Sequence, residues 1–148
     1  METMIREQIG ISVKNTCVQF LLAYQQQDLG KMLQCCDAQG TVEFKPLGEN
    51  GKGKIHELGK ALWSSLMDSF PNLDNTLDAA ISEDDYTVRC QVVIRGTQAK
   101  DFAGIQSKGL HFDSDHIFIF RLNEANKINS IEVMWDHADF CRQLGAGC

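Results

Sequence analysis

The feature that most limits the possible folds is a change in the spacing of apolar residues near the middle of the chain. Apolar and polar residues alternate through three long segments, 86–97, 111–122 and 127–135. In the first segment Cys90, Val92 and Ile94 share one face. A two-residue period of this length is typical of β-strands with one buried face. Turn-forming residues at 82–85 and 123–126 predict that consecutive strands run antiparallel.

The first half has helical spacing instead. Apolar residues recur at steps of three and four between Ile5 and Gln27 and form one stripe: Ile9, Val13, Cys17, Phe20, Leu21 and Tyr24. Asp28 is placed to cap a short second helix, and a third begins at Ile55 and stops before Pro71. Shorter alternating stretches at 41–44 and 77–81 predict further strands. We therefore expect one α+β domain, residues 1–148, with three N-terminal helices on one face of a curved antiparallel sheet that encloses a pocket.

Charge and composition exclude several classes of protein. The net charge of −6 repels phosphate backbones, so we expect no nucleic-acid partner. The N-terminus lacks the basic and apolar regions of a secretory signal, and no apolar run reaches the length of a membrane span. We therefore expect a cytoplasmic chain with no membrane contact. The six cysteines show no CxxC spacing and are predicted to be mostly buried free thiols.

Several short stretches of the second half have a characteristic order and spacing. They are Phe70-Pro71, Gly96-Thr97, Phe102-Ala-Gly-Ile105, Gly109 with Phe112, Lys127-Ile128 and Arg142-Gln-Leu-Gly145. In this order they resemble the SnoaL-like polyketide cyclases of the nuclear transport factor 2-like superfamily. The resemblance implies a cone-shaped α+β barrel with a deep apolar pocket, usually a homodimer formed through the sheet. It also implies an aldol ring closure on a polyketide ester without metal or organic cofactor.

The resemblance also implies where the acid/base group should lie, and this chain departs from it there. The family's aspartate follows the lysine of the Lys-Ile pair by six residues, and that position is Val133. The second polar position of the pocket, on the preceding strand, falls on Phe118. Valine and phenylalanine cannot transfer protons, so any catalysis needs other residues.

His116 is the candidate base. Strand alternation places it on the pocket face together with Phe112, Ser114, Phe118 and Phe120. Desolvation among phenylalanines would lower its pKa and keep the imidazole neutral. The alternative is a core histidine that donates to Tyr24 or to a backbone carbonyl.

The helices and the last strand supply the other candidates. Tyr24 is a candidate hydrogen-bond donor to a ligand carbonyl, although an anchoring role between helix and sheet fits equally. Trp63 is expected to reach the cavity from the third helix. On the last strand Ile131, Val133 and Trp135 share the pocket face.

The remaining polar clusters have structural interpretations. Asp136-His-Ala-Asp139 fits a helix cap better than a catalytic group, and His137 is then expected to be exposed. Asp113 and Asp115 should point outward near Arg89 or Arg95, which keeps them out of an Asp–Arg–Asp set of the epoxide-hydrolase type.

Three hypotheses follow. The first is a protein that binds a flat, largely apolar or aromatic polyketide-like molecule and catalyses cofactor-free cyclisation, isomerisation or dehydration, with His116 as base and Tyr24 as donor. The second is a binding module that has lost its acid/base residue. The third is an interaction scaffold, which a filled cavity would favour.

Overall fold

The computed structural model describes residues 2–148, with side chains from residue 5 onward. The helices are α1 (Glu2–Gln25), α2 (Leu29–Gln34), α3 (Lys60–Ser69) and α4 (His137–Gln143). The strands are β1 (Cys36–Phe44), β2 (Lys52–Lys54), β3 (Asp74–Asp84), β4 (Thr87–Thr97), β5 (His111–Leu122) and β6 (Ile128–Trp135). A 3₁₀ segment (Lys45–Gly51) precedes β2, and a wider π-type turn (Ile55–Gly59) leads into α3.

The strands form one sheet in the order β2-β1-β6-β5-β4-β3. Strands β3 to β6 are an antiparallel meander, as the alternation predicts. Strand β1 pairs with β6 in parallel, so the sheet is mixed, whereas a wholly antiparallel one was expected. This pairing joins residues about ninety positions apart, and local alternation carries no information on it. Strands β2 and β3 remain as open edges, so the curved α+β sheet is not a closed barrel.

Register shifts in β1, β3 and β6 help the sheet to bend, because an extra residue in one strand increases its local twist and curvature. The buried stripe of α1 packs against the inner face of the sheet. Edge-to-face aromatic contacts join the layers, with Phe20 lying 5.4 Å from both Trp63 and Phe120 between ring centroids. Burial of these large rings supplies much of the apolar area that the fold removes from water.

Two predicted helix caps are confirmed. The Asp28 carboxylate accepts a hydrogen bond from the backbone N–H of Lys31, and Asp136 accepts one from that of Asp139. Both satisfy amides that a helix leaves unpaired in its first turn.

Other boundaries differ from the prediction. Strand β1 begins at Cys36, five residues before the alternating stretch, and the first turn of the expected third helix is the wider π-type turn. Arg95 pairs with Asp113 at 3.1 Å on the outer face, as expected. Of the described helices, none is both long and apolar enough to cross a membrane. The cytoplasmic location stays a prediction.

The cysteines require one correction. Cys141 and Cys148 form a disulfide, whereas free thiols were expected throughout. Their spacing of seven residues resembles no familiar motif, and the backbone reversal at Gly145 (φ +80°) brings them together. The other four, Cys17, Cys35, Cys36 and Cys90, are free.

Candidate functional site

A narrow cavity of about 70 Å³ lies between the inner face of the sheet and the helices. Its walls come from every layer of the fold: Tyr24, Phe44, Leu47, Leu62, Trp63, Leu66, Ile94, Phe102, Ala103, Phe112, His116, Phe118, Val133, Trp135, His137 and Phe140. Nearly all of these side chains are apolar or aromatic. The cavity is small beside the roughly 300–1,000 Å³ of typical small-molecule sites. A ligand larger than a few atoms therefore requires side chains or a covering segment to move.

Seven of the nine residues predicted for the site line this cavity: Tyr24, Trp63, Phe112, His116, Phe118, Val133 and Trp135. Phe120 and Ile131 do not line it. They face each other across β5 and β6, and Phe120 packs against Phe20 in the solid core. Alternation gives the correct face for both residues, but the cavity ends before it reaches them.

His116 is paired with Trp135 in the sheet, and the two rings stack at 5.3 Å with planes 16° apart. Its Nδ1 lies 3.1 Å from the backbone oxygen of Ser114. A carbonyl oxygen can only accept, so Nδ1 carries the proton and Nε2 keeps a free lone pair. Burial lowers the pKa of His116 to about 4, which keeps the ring neutral at physiological pH.

Two further polar groups come from the helices. The rings of Tyr24 and Trp63 meet edge to face at 6.5 Å, and both side chains are almost fully buried. Burial raises the pKa of the Tyr24 hydroxyl, so it remains a neutral donor. Neither this hydroxyl nor the Trp63 indole N–H has a hydrogen-bond partner among residues 5–148.

These polar atoms are not sealed into packed protein. Within the described side chains, the only fully enclosed nitrogen or oxygen atoms without a partner are Gln98 Oε1 and Asn126 Oδ1. Tyr24, Trp63 and His116 all line the cavity, and none of their polar atoms is among those fully enclosed without a partner. The lining therefore includes two side chains with hydrogen-bond donors, Tyr24 and Trp63, and one with a basic nitrogen, His116.

His137 is the site residue that the sequence analysis missed. It was expected to be exposed, but it is half-buried and lines the cavity. Its Nδ1 accepts a hydrogen bond from the Trp135 indole N–H at 3.2 Å, and its ring stacks on Phe140. A signal was present in the spacing, because His137, Phe140, Cys141 and Leu144 follow each other at helical steps on the buried face of α4.

A connecting segment, residues 98–110, covers one side of the cavity. It contributes Phe102 and Ala103 to the lining and turns back on itself through the bridge between Phe102 and Ile105. The buried Gln98 side chain donates to the backbone oxygens of Lys100 and Ile105 and holds this turn.

One group of side chains has the composition of a metal site. His137, Cys141 and Cys148 place one donor atom each within 4.8 Å of one another. Both sulfur atoms are joined in the disulfide, however, and a disulfide sulfur is a poor metal ligand compared with a thiolate.

Comparison with known proteins supports the fold and the family. The family model of the SnoaL-like polyketide cyclases matches residues 17–144. No curated protein sequence matches the chain significantly.

Solved structures match over nearly the whole chain. A proposed SnoaL-like polyketide cyclase from Jannaschia sp. CCS1 has a TM-score of 0.82 at 16% identity, covering 95% of this chain and 96% of that one. IdmH, a proposed polyketide cyclase from Streptomyces antibioticus, has a TM-score of 0.74 at 19% identity, covering 90% and 99%. SalBIII, an epoxide hydrolase/cyclase-like enzyme of pyran ring formation in the polyether salinomycin, has a TM-score of 0.69 at 16% identity, covering 86% and 92%. At these identities the structures establish a shared fold.

Proposed function

The chain belongs to the SnoaL-like polyketide cyclase family, and from that premise we propose that it binds a flat, largely apolar polyketide-like molecule and catalyses proton transfer on it without a cofactor. The observation that carries the proposal is the set of three polar atoms without protein partners, on His116, Tyr24 and Trp63, around an apolar cavity. A few polar groups in a mainly apolar cavity are what orients a bound small molecule.

The three groups suit a cyclisation or isomerisation. His116 Nε2 removes a proton from the carbon next to a ligand carbonyl, and the resulting enolate oxygen accepts hydrogen bonds from Tyr24 and Trp63. In a ring closure the carbanion attacks a second carbonyl of the same molecule. The new alkoxide then recovers the proton from Nε2. Because burial lowers the pKa of His116 to about 4, the base is weak, and most of the driving force must come from stabilisation of the enolate.

The proposal moves the base from β6, where the family resemblance implies it, to the neighbouring strand β5. The implied position, Val133, lies opposite Phe118 in the sheet, and His116 lies opposite Trp135 beside it. Both pairs line the same cavity, so a ligand in it contacts either position.

A second candidate function is a non-catalytic binding module. The apolar pair Phe118 and Val133 favours it, because neither side chain can transfer a proton. Binding without turnover would distinguish this candidate from the enzyme.

The test uses 5-nitrobenzisoxazole, a flat aromatic whose acidic C3–H proton reports on a positioned base. Removal of that proton breaks the ring N–O bond and releases a coloured phenolate. We expect turnover to rise through pH of about 4 and then level off. We expect His116→Ala to lower turnover by about 10²–10⁴-fold.

The matched control is His111→Ala, at the exposed start of the same strand, which should retain the activity of the unchanged protein. A thermal shift with the probe but no turnover in any variant would favour the binding module. Equal turnover in His116→Ala and the unchanged protein would contradict the assigned base.

We also propose a homodimer formed through the outer face of the sheet. Half-buried apolar side chains lie on that face, including Val93, Ile117, Ile119 and Met134. Native mass spectrometry tests this assembly, and a monomer at micromolar concentration would contradict it.

A further inference from the structure

The disulfide between Cys141 and Cys148 lies beside the proposed site. The two Cα atoms are 5.9 Å apart, within the usual range for a disulfide. Cys141 is fully buried on α4, whereas Cys148 is exposed. A thiol or low-molecular-weight disulfide in solution can therefore reach Cys148 without unfolding the domain.

The bond holds the C-terminal segment, residues 144–148, against the segment that covers the cavity. Lys108 donates a hydrogen bond from its Nζ to the backbone oxygen of Gly145. The contact is close, since a Cβ at Gly145 would lie 3.0 Å from Lys108 Cδ and 3.2 Å from Leu110 Cδ1. Helix α4 reaches the same covering segment through Phe140, whose ring lies 6.5 Å from that of Phe102 in the cavity wall.

Cys141 also contacts the cavity through His137. The Cys141 sulfur is 3.6 Å from His137 Nε2, and the other ring nitrogen accepts from the Trp135 indole. In the neutral ring Nε2 therefore carries the proton and points it toward the sulfur. This arrangement stabilises a thiolate at Cys141. It disfavours a metal ion, since a histidine ligand needs its lone pair on Nε2 and normally donates from the other nitrogen.

We propose that Cys141 and Cys148 are a reversible thiol–disulfide couple that clamps residues 144–148 against the covering segment, residues 98–110, and thereby controls access to the cavity. The functional consequence of this access rests on the proposed function, whereas the clamp itself does not. The oxidised form, with the disulfide in place, is the closed form. The reduced form releases the C-terminal segment and allows residues 98–110 to open.

The couple exchanges with a low-molecular-weight thiol and its disulfide, such as glutathione. The Cys148 thiolate attacks the small disulfide and releases one small thiolate. The Cys141 thiolate then attacks the Cys148 sulfur of the mixed disulfide and releases a second. The two small thiolates take up the two protons that the cysteines lost, and the reverse sequence opens the clamp.

The experiment follows the thiol state of the clamp and the opening of the covering segment separately, in glutathione buffers that are either reducing or oxidising. Alkylation and mass spectrometry give the thiol state, and hydrogen–deuterium exchange gives the opening of residues 98–110. We expect reduction to raise exchange in that segment by about tenfold. Cys148→Ser should show the raised exchange in both buffers. Cys35→Ser, which removes a free thiol elsewhere, should still show higher exchange in the reducing buffer than in the oxidising one.

Equal exchange in the two buffers would overturn the proposal, as would free thiols at Cys141 and Cys148 under oxidising poise. One Zn²⁺ bound per reduced chain and lost in Cys148→Ser would replace it with a metal site. The neutral dye 1-aminoanthracene reports on the cavity, and we expect it to bind the reduced form more tightly. If the dye binds neither form while exchange still follows poise, the clamp stands and the proposed function fails.

Discussion

Val133 limits the chemistry of the cavity through its neighbours. Its side chain is 2% exposed and lies opposite Phe118 on one adjacent strand and Phe44 on the other. A carboxylate at this position would lose its hydration and lie between two phenylalanines. The absence of an acid at 133, where the family resemblance implies one, and the presence of phenylalanine at 118 are therefore consistent with each other. They leave His116 as the ionisable side chain of β5 and β6 that lines the cavity.

The same burial makes His116 a source of pH-dependent stability. Its pKa falls from 6.5 to about 4 on folding, so the unfolded chain binds the extra proton between these values. The free energy of unfolding should therefore decrease as the pH drops from about 6.5 to about 4, by up to about 3 kcal/mol. His116→Phe, which keeps an aromatic ring beside Trp135, should abolish this dependence. Urea unfolding across the pH range measures it.

The control for this prediction is His111→Phe, because His111 is exposed on the same strand and hydrogen-bonds only at the surface. This variant should keep the decrease in stability at low pH. An unchanged decrease in His116→Phe would show that another group is responsible.

Alternation is sufficient to place His116 on the pocket face, since each strand residue has only two possible faces. His137 could not be placed in this way. A residue in the first turn of a helix faces wherever the helix packs, and α4 is positioned by Phe140 and Leu144 against the core. The helical spacing of His137, Phe140 and Leu144 indicates a shared buried face, but the part of the fold that this face contacts is distant in sequence.

At the scale of elements, α4 is a short helix that depends on its cap. Seven residues cannot form a stable helix alone, yet this one carries His137 into the cavity and Cys141 into the disulfide. Its first turn is held by the bond from the Asp139 amide to the Asp136 carboxylate. The cap therefore contributes to the position of both functional groups.

We expect Asp136→Ala to lower the free energy of unfolding by about 1 kcal/mol. Because asparagine caps helices nearly as well as aspartate, Asp136→Asn should lose much less. Urea denaturation measures the stability, and hydrogen exchange in 137–144 shows whether the loss is local. Equal destabilisation by alanine and asparagine would indicate that the charge, and not the hydrogen bond, is what matters.

Strands were predicted better where alternation is strong. The bounds of β5 match the prediction, and those of β4 and β6 differ by one residue. Strand β1 was shortened in the prediction because Cys36-Asp-Ala-Gln-Gly40 has no alternating pattern. The π-type turn before α3 has no local signal either. It leaves Gly59 against the Trp63 ring, where a Cβ would lie 2.8 Å from Cζ3, and this contact depends on tertiary packing.

In the whole molecule, close packing of the core and space for a ligand depend on the same side chains. The aromatic side chains that join α1, α3 and the sheet also line the cavity, so the same packing stabilises the fold and narrows the site. Half-buried leucines of α3 contact the cavity from its helical side. A smaller side chain there should lower the free energy of unfolding and enlarge the cavity.

Leu66→Ala tests this expectation, because Leu66 lines the cavity and is only partly buried. We expect a loss of stability of about 1–2 kcal/mol. The added space should lower the Kd for 1-aminoanthracene by roughly fivefold, equivalent to about 1 kcal/mol. Met67→Ala removes a partly buried side chain from the same helix outside the lining, so it should cost stability without tighter binding. Fluorescence titration of both variants measures the affinity. Equal affinity for the dye in both would mean that space at the helical wall does not limit binding.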